Sequence, residues 1–281
     1  QVLIEKLLRS LPGIATIFVL IRPLKGSSGV SRWQDIESTV FFNVIRRKFP
    51  ERLRKVVVIE GDITEDDFGI SSVNLDRVLS ETSVVFHCAA TVKFNDSLKN
   101  SSELNVKGVT RMIALCHRMP KLTDVNKLLT VCWLSHFIAG TLTLLQVLEI
   151  LDDSQIDLIS GDIAKSHMNT YCFTKYLGEI VFRDAAGLPT VVFRPSIISS
   201  VWQDGIPGWA DAFQGLTAII GAMYAGAIPR FPMLSVNPKS ILDVVPVDVV
   251  TNMMISCASY RMNYHCETIP VFHCCSSDLN P

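Results

Sequence analysis

Neither sign of charge dominates this sequence: 26 Lys and Arg stand against 27 Asp and Glu, for a net charge of −1. That balance lacks the basic footprint of a nucleic-acid partner, and no nucleic acid is assigned. Charge is also scarce overall, at 19% of residues against 48% hydrophobic, which excludes a disordered chain and allows a substantial buried core. A paired cysteine framework is missing. Cys88, Cys116, Cys132, Cys172, Cys257, Cys266, Cys274 and Cys275 are scattered through apolar runs and read as small core residues in a reducing compartment. The tail gathers His265, Cys266, His273, Cys274 and Cys275, but their spacing fits no zinc pattern, so no metal is assigned. Internal repeats, low-complexity tracts, a starting Met and a signal peptide are lacking too. Gln1 opens directly into a helical pattern, which reads as a chain that begins inside a domain.

What is present is an alternation of short apolar runs and amphipathic segments. Val2, Leu3, Leu7 and Leu8 repeat at helical spacing, and Leu11-Pro12-Gly13 closes that helix. Ile17 to Ile21 reads as a strand buried on both faces, broken by Arg22-Pro23-Leu24-Lys25-Gly26. A polar helix is predicted from about Val30 to Lys48. Val56 to Ile59 is the next strand and runs into Glu60-Gly61-Asp62; Leu75 to Leu79 is helical. Ser83 to His87 is a third strand, ending at Cys88-Ala89-Ala90-Thr91, and a long helix follows from about Ser101 to Met119. Thr170 to Phe182 reads as a helix and Thr190 to Arg194 as a strand, stopped by Pro195. This rhythm predicts an α/β fold, a Rossmann-type doubly wound parallel sheet with helices on both faces.

One stretch, Leu128 to Leu148, has no Asp, Glu, Lys or Arg over 21 residues, long enough to cross a membrane. Its Thr130, Ser135, His136, Gly140, Thr141, Thr143 and Gln146 favour a buried strand followed by a helix, or a mis-assembled stretch of sequence.

Chemistry enters with Tyr171-Cys172-Phe173-Thr174-Lys175. A Tyr and a Lys four apart share one helix face. A phenol is a poor acid at neutral pH, with a free pKa of ~10, and a nearby ammonium favours the phenolate. Such a Tyr can pass a proton to a carbonyl oxygen while hydride arrives from nicotinamide, and the same Lys can hold the cofactor's ribose. Alone the spacing is common on ordinary helix faces. Its neighbours sharpen it: Arg194-Pro195-Ser196-Ile197-Ile198 stands at a strand end beyond it, and His87-Cys88-Ala89-Ala90-Thr91 at a strand end before it. Small residues there let a cofactor approach the backbone at the carboxyl edge of a parallel sheet. Asn105, on the following helix, is placed to fix a local water or backbone group.

The Tyr171 to Lys175 pattern with Arg194-Pro195-Ser196 resembles the extended short-chain dehydrogenases. His87 to Phe94, Ile59-Glu60-Gly61-Asp62, Asn105-Val106-Lys107-Gly108, Ile206-Pro207-Gly208-Trp209 and Val244-Val245-Pro246-Val247-Asp248 are more specific. They resemble the alcohol-forming fatty acyl-CoA reductases, over residues 1–122 and about 150–260. The resemblance implies NADPH-dependent reduction of a long-chain fatty acyl-CoA to a primary alcohol through an aldehyde. It implies Tyr171 as proton donor and Lys175 as its partner. Asp62 is expected near the adenine, Ala89, Ala90 and Thr91 along the cofactor with Asn105 behind them, and Pro195, Ser196 and Ile197 at the nicotinamide end. Arg22 ends a strand where an acidic residue would select NAD; a cation there accommodates a 2′-phosphate, with Lys25 assisting. The resemblance also implies a division into a Rossmann-type domain over 1–200 and a small C-terminal substrate lobe over 201–281. Residues 236–258 are expected to return to the core. Membrane association, at a peroxisomal or endoplasmic-reticulum surface, is expected as well.

Two departures stand against the family pattern. Its first strand and Gly-rich pyrophosphate loop are missing, so the chain as written is expected to be impaired as a reductase. Where the family carries a Ser-Thr-Ala-Tyr stretch, this chain reads Leu128 to Phe137, with Ser135 the nearest serine. Two other readings remain open: another extended short-chain dehydrogenase or epimerase, and a non-catalytic remnant that acts as a binding protein.

Overall fold

Helix α1 (Val2–Ser10) buries Val2, Leu7 and Leu8 and leads into β1 (Ile17–Ile21). The structure, a computed structural model, describes residues 1–93, 96–123, 128–132, 152, 155–156, 169–183, 187–211, 215–227 and 242–277. Strand β1 pairs in parallel with β2 (Val56–Glu60), from Ile17 opposite Val56 to Ile21 opposite Glu60. Parallel pairing forces each connection to cross over, and helices do so here. The crossover from β1 to β2 holds α2 (Gly29–Ser38), a 3-10 turn (Val40–Phe42), α3 (Asn43–Lys48) and α4 (Pro50–Leu53). A 3-10 turn (Asp66–Gly69) and α5 (Ser72–Glu81) lead on to β3 (Val84–His87).

The single helix predicted from Val30 to Lys48 is a correction: the chain breaks at Thr39, whose φ of −59° and ψ of 156° are not helical. The Thr39 hydroxyl donates to the Ile36 carbonyl at 2.8 Å, competing with the helix ladder. The break turns Phe41 and Phe42 into the core, where Phe42 meets Trp33 edge to face and Phe41 stacks on Trp209, with ring centroids 4.2 Å apart.

Strands β3, β4 (Leu128–Cys132), β5 (Thr190–Pro195) and β8 (Val271–Cys274) form a second parallel sheet in the order β3-β4-β5-β8. Between β3 and β4 runs a long helical stretch: α6 (Leu98–Ser102), a π turn (Glu103–Lys107), α7 (Gly108–His117) and the short α8 (Pro120–Thr123). Helix α9 (Thr170–Arg183) precedes β5. Beyond β5 come β6 (Ile197–Ser199), α10 (Gly215–Tyr224), β7 (Val244–Pro246) and α11 (Val247–Asn263); β6 pairs in parallel with β7. This is an α/β Rossmann-type arrangement with further elements after β5. The start of the uncharged stretch, Leu128–Cys132, is the strand between β3 and β5. The rest of it, with Ser135, lies outside the described residues. Strand β8 went unread in the sequence: the tail's His273 and Cys274 belong to an edge strand. No group of three or more metal-capable side chains gathers among the described residues.

One carboxylate ties the later elements to the loop after β6. Asp248, in the first turn of α11 and buried, accepts hydrogen bonds from the backbone N–H groups of Trp202, Gln203 and Asp204 at 2.9–3.0 Å. Burial opposes its ionisation, but those N–H groups outweigh burial and hold the carboxyl below its usual range. Asp243 behaves alike. Burial is outweighed by the Ser276 N–H and the serine hydroxyls around it, which bring it down to about 2. A carboxyl depressed on folding stabilises the fold above its unfolded pKa of ~3.9. That stability is lost as pH falls through the folded value. Acid unfolding is therefore expected below about pH 4. Asp248→Asn should cost ~1.5–3 kcal/mol at neutral pH and flatten the acid limb, as read by denaturant midpoints from pH 7 to 2. An unchanged acid limb would contradict the role given to Asp248.

Candidate active site

In a parallel sheet all strands end on one edge, and in each of the two sheets predicted site residues fall on those ends. At the end of β1 stands Arg22; just past the end of β2 stands Asp62. They meet, with Arg22 Nη1 3.5 Å from Asp62 Oδ2. Asp62 is further oriented by Thr64, whose N–H and hydroxyl donate to Oδ1 at 3.0 and 2.9 Å. Burial opposes its ionisation, and the Thr64 bonds and the Arg22 charge prevail, keeping the carboxyl below its usual range. Arg22 remains 56% exposed, so its guanidinium is available to a ligand. Sequence reading missed Arg32, on α2, which donates to the Arg22 carbonyl and brings a second cation to this corner.

At the end of β3, His87 is buried and Cys88 and Ala89 are exposed. Burial, with the nearby Lys175 charge, lowers His87 to about 4, so its imidazole is neutral at physiological pH. Cys88 touches solvent yet is ringed by protein, and burial raises its thiol pKa despite the opposing Lys175 charge. Cys88 and Ala89 thus leave the end of β3 exposed and without bulky side chains. Thr91, next along, is buried and donates its N–H to Asn105 Oδ1 at 3.0 Å.

Helix α9 supplies the paired groups. The Asn169 side chain accepts from the Cys172 N–H at 2.8 Å, a cap that fixes the helix start and places Tyr171 in its first turn. Lys175 follows one turn later. It is only 6% exposed, and its Nζ lies 5.7 Å from the Tyr171 ring centroid. Thr174, between them, accepts from Asn105 Nδ2 at 3.0 Å. Both ends of the Asn105 amide are thus engaged within the protein, joining the loop at Thr91 to the helix of Tyr171 and Lys175. The π turn that carries Asn105 is the kind of helix irregularity found at functional sites. Its close approach to α9 needs a residue without a side chain: a Cβ on Gly178 would stand 2.4 Å from the Asn105 carbonyl oxygen.

Behind α9, Glu179 takes a two-pronged ion pair from Arg194 of β5, at 3.0 Å through Nε and closely through Nη2. Past Arg194, Pro195 is buried, Ser196 donates its N–H to the Cys274 carbonyl at 3.0 Å, and Ile197 is 44% exposed. The chain passes there from β5 to β6. The geometry brings together Arg22 with Asp62, Thr91 with Asn105, and Tyr171 with Lys175 beside His87. Thr174, Gly178 and Glu179 escaped sequence reading, although all lie within or just beyond the Tyr-to-Lys motif.

The donor set suits a nicotinamide dinucleotide: a half-exposed guanidinium, an oriented carboxylate one strand over, a strand end without bulky side chains, and a buried ammonium beside a phenol. A family model described as "Male sterility protein" matches residues 1–254. Fatty acyl-CoA reductase 2 of Homo sapiens is 32% identical, and that of Bos taurus 31%, each over all of this chain and 56% of the relative. Fatty acyl-CoA reductase 1 of Gallus gallus is 31% identical over the same shares. The chain therefore spans a little over half the length of these curated relatives. Among solved structures, the terminal R domain from the myxalamid PKS-NRPS biosynthetic pathway superposes with a TM-score of 0.67 at 19% identity, over 98% of this chain and 61% of that one. The reductase domain of a nonribosomal peptide synthetase from Mycobacterium tuberculosis gives 0.62 at 19% identity, over 98% and 63%. At such identities these structures speak to the fold.

Proposed function

We propose, from the premise that this chain belongs to the male-sterility family of fatty acyl-CoA reductases, that its protein reduces a long-chain fatty acyl-CoA to a primary alcohol at the expense of two NADPH: the first reduction releases the CoA thiol and leaves an aldehyde, and the second turns the aldehyde into the alcohol. The observation that carries the chemistry is the buried Lys175 beside Tyr171 on one helix face, near the small exposed Cys88 at the end of β3. A bound nicotinamide supplies the hydride. Tyr171 gives the proton to the carbonyl oxygen, and Lys175 stabilises the charge left on the phenol oxygen and holds the ribose. Asp62 and Arg22 hold the adenosine end. Ala89, Ala90, Thr91, Pro195, Ser196 and Ile197 form the walls between. The same reading carries a peroxisomal or endoplasmic-reticulum membrane surface as the location. No described helix is long and apolar enough to cross a membrane.

Arg22 decides between the two nicotinamide cofactors in this reading. One charge-assisted contact to a 2′-phosphate contributes ~1.5–3 kcal/mol, roughly ten- to a hundredfold in kcat/KM. The test is alcohol formation from a long-chain acyl-CoA by the full-length protein, with NADPH and with NADH, in wild type and Arg22→Ala. Wild type is expected to favour NADPH by that factor, and the variant to lose most of the preference. Equal use of both cofactors by wild type would refute the assignment of NADPH.

A further inference from the structure

The loop after β2 holds a conformation that its own residues disfavour. Asp67 and Phe68 have φ of 47° and 58°, and Gly69 follows at 61°, so three consecutive residues lie in the left-handed region. Non-glycine residues there are strained and persist only where their surroundings over-determine them. Part of the restraint is local. The Asp62 N–H donates to the Phe68 carbonyl at 2.8 Å, and Thr64 caps the Asp62 carboxylate. A Cβ on Gly61 would stand 2.3 Å from that Phe68 carbonyl, so the fold-back is tight.

The remaining restraint comes from one face of α7. Arg111, partly buried, donates through Nη1 to the Ile63 carbonyl at 3.3 Å and lies 3.7 Å from Asp66 through Nε. Its Nη2 donates to Glu103 Oε1 at 2.6 Å. Arg118, just past the end of that helix, pairs with Asp67. Ile63 and Phe68 enter the same core cluster as Val109 and Met112. Glu103 opens the π turn that carries Asn105, so one guanidinium joins the Asp62 loop to the segment that grips Thr91 and Thr174.

We propose that Arg111 is a positioning residue for the adenosine half of the cofactor. It acts by holding the loop, and with it the Asp62 carboxylate, against the helix that carries Asn105. The proposal rests on the cofactor reading given above. Arg111 and Arg22 then have separable signatures. Arg22 reads the 2′-phosphate and so distinguishes NADPH from NADH. Arg111 places the wall shared by both dinucleotides and leaves the nicotinamide half alone.

The test is equilibrium binding to the full-length protein of NADPH, NADH and reduced nicotinamide mononucleotide, which lacks the adenosine half, followed by nicotinamide fluorescence. Arg111→Ala is expected to weaken NADPH and NADH by the same factor, roughly tenfold, and to leave the mononucleotide unchanged. Arg22→Ala should weaken NADPH alone. Arg111→Lys, which keeps one cation but not the bridge, serves if the alanine variant does not fold; the same pattern is expected from it, smaller in size. Equal weakening of all three ligands means a merely structural role and overturns the proposal. So does a loss confined to NADPH, or no loss at all. Wild type that binds none of the three overturns the cofactor reading itself, and this inference with it.

Discussion

Replacing Tyr171 by Phe is expected to slow turnover by ~10²–10⁴-fold, the usual range for losing a positioned general acid, with cofactor binding changed little. The substitution keeps the ring, and with it the packing of Tyr171 against the neighbouring core and the Lys175 approach to its face. Only the hydroxyl goes. No other side chain among the described residues is as well placed to donate. His87, buried within reach of the Lys175 charge, is neutral at physiological pH and titrates at about 4. The Cys88 thiol has its pKa raised by burial. The readout is single-turnover reduction at saturating cofactor, alongside nicotinamide fluorescence for binding. Turnover within a few-fold of wild type would remove Tyr171 from the proton-donor role.

The parts of the fold readable from sequence are those fixed by local pattern. Ile17–Ile21, Val56–Glu60, Val84–His87 and Thr190–Pro195 are apolar runs closed by turn residues or proline, and they are strands. The misread parts depend on distant partners. The break at Thr39, begun by its own hydroxyl bonding to the Ile36 carbonyl, is stabilised by the Phe41 ring stacking on Trp209, far away in the chain. Val271–Cys274 is short and rich in metal-capable residues; it is a strand because β5 offers its edge.

The site divides the same way. Tyr171 and Lys175 carry a spacing with a chemical reason behind it, and Arg22 and Asp62 stand at recognisable strand ends. Arg32, Arg111 and Glu179 are charges on helix faces, which in a sequence look like ordinary solvated positions. Their roles exist only once a carbonyl, a loop or a guanidinium has been brought to them. The π turn at Glu103–Lys107 leaves no trace in the hydrophobic period, because Val106 within it and Val109 just after it are both buried.

Arg194→Ala is expected to cost ~3–5 kcal/mol of stability, the range for removing one partner of a buried ion pair. The Glu179 side chain is 3% exposed and that of Arg194 16%, so water screens the pair little. Two parallel contacts fix its geometry as well as its charge. The variant leaves a carboxylate with almost no access to water and without its guanidinium. It also removes the tie between α9 and β5 and the approach of Arg194 to His273 at 3.4 Å. Replacing both partners by apolar residues of similar volume, Arg194→Met with Glu179→Leu, should recover most of that loss, since buried pairs often break even against well-packed hydrophobic residues. Stability and chemistry then separate. If the pair only stabilises, the double variant turns over as wild type does. If the pair also holds α9 in register with the sheet edge, the double variant regains its denaturant midpoint but keeps a lowered kcat, because Tyr171 and Lys175 ride on that helix. We expect the second outcome: α9 passes so close to the Asn105 carbonyl at Gly178, directly beside Glu179, that no side chain would fit there, so a rotation of α9 alters that contact with the segment of Asn105. A cost below ~1 kcal/mol for Arg194→Ala would show that the pair behaves as an exposed one, and the tie would lose its place in the argument.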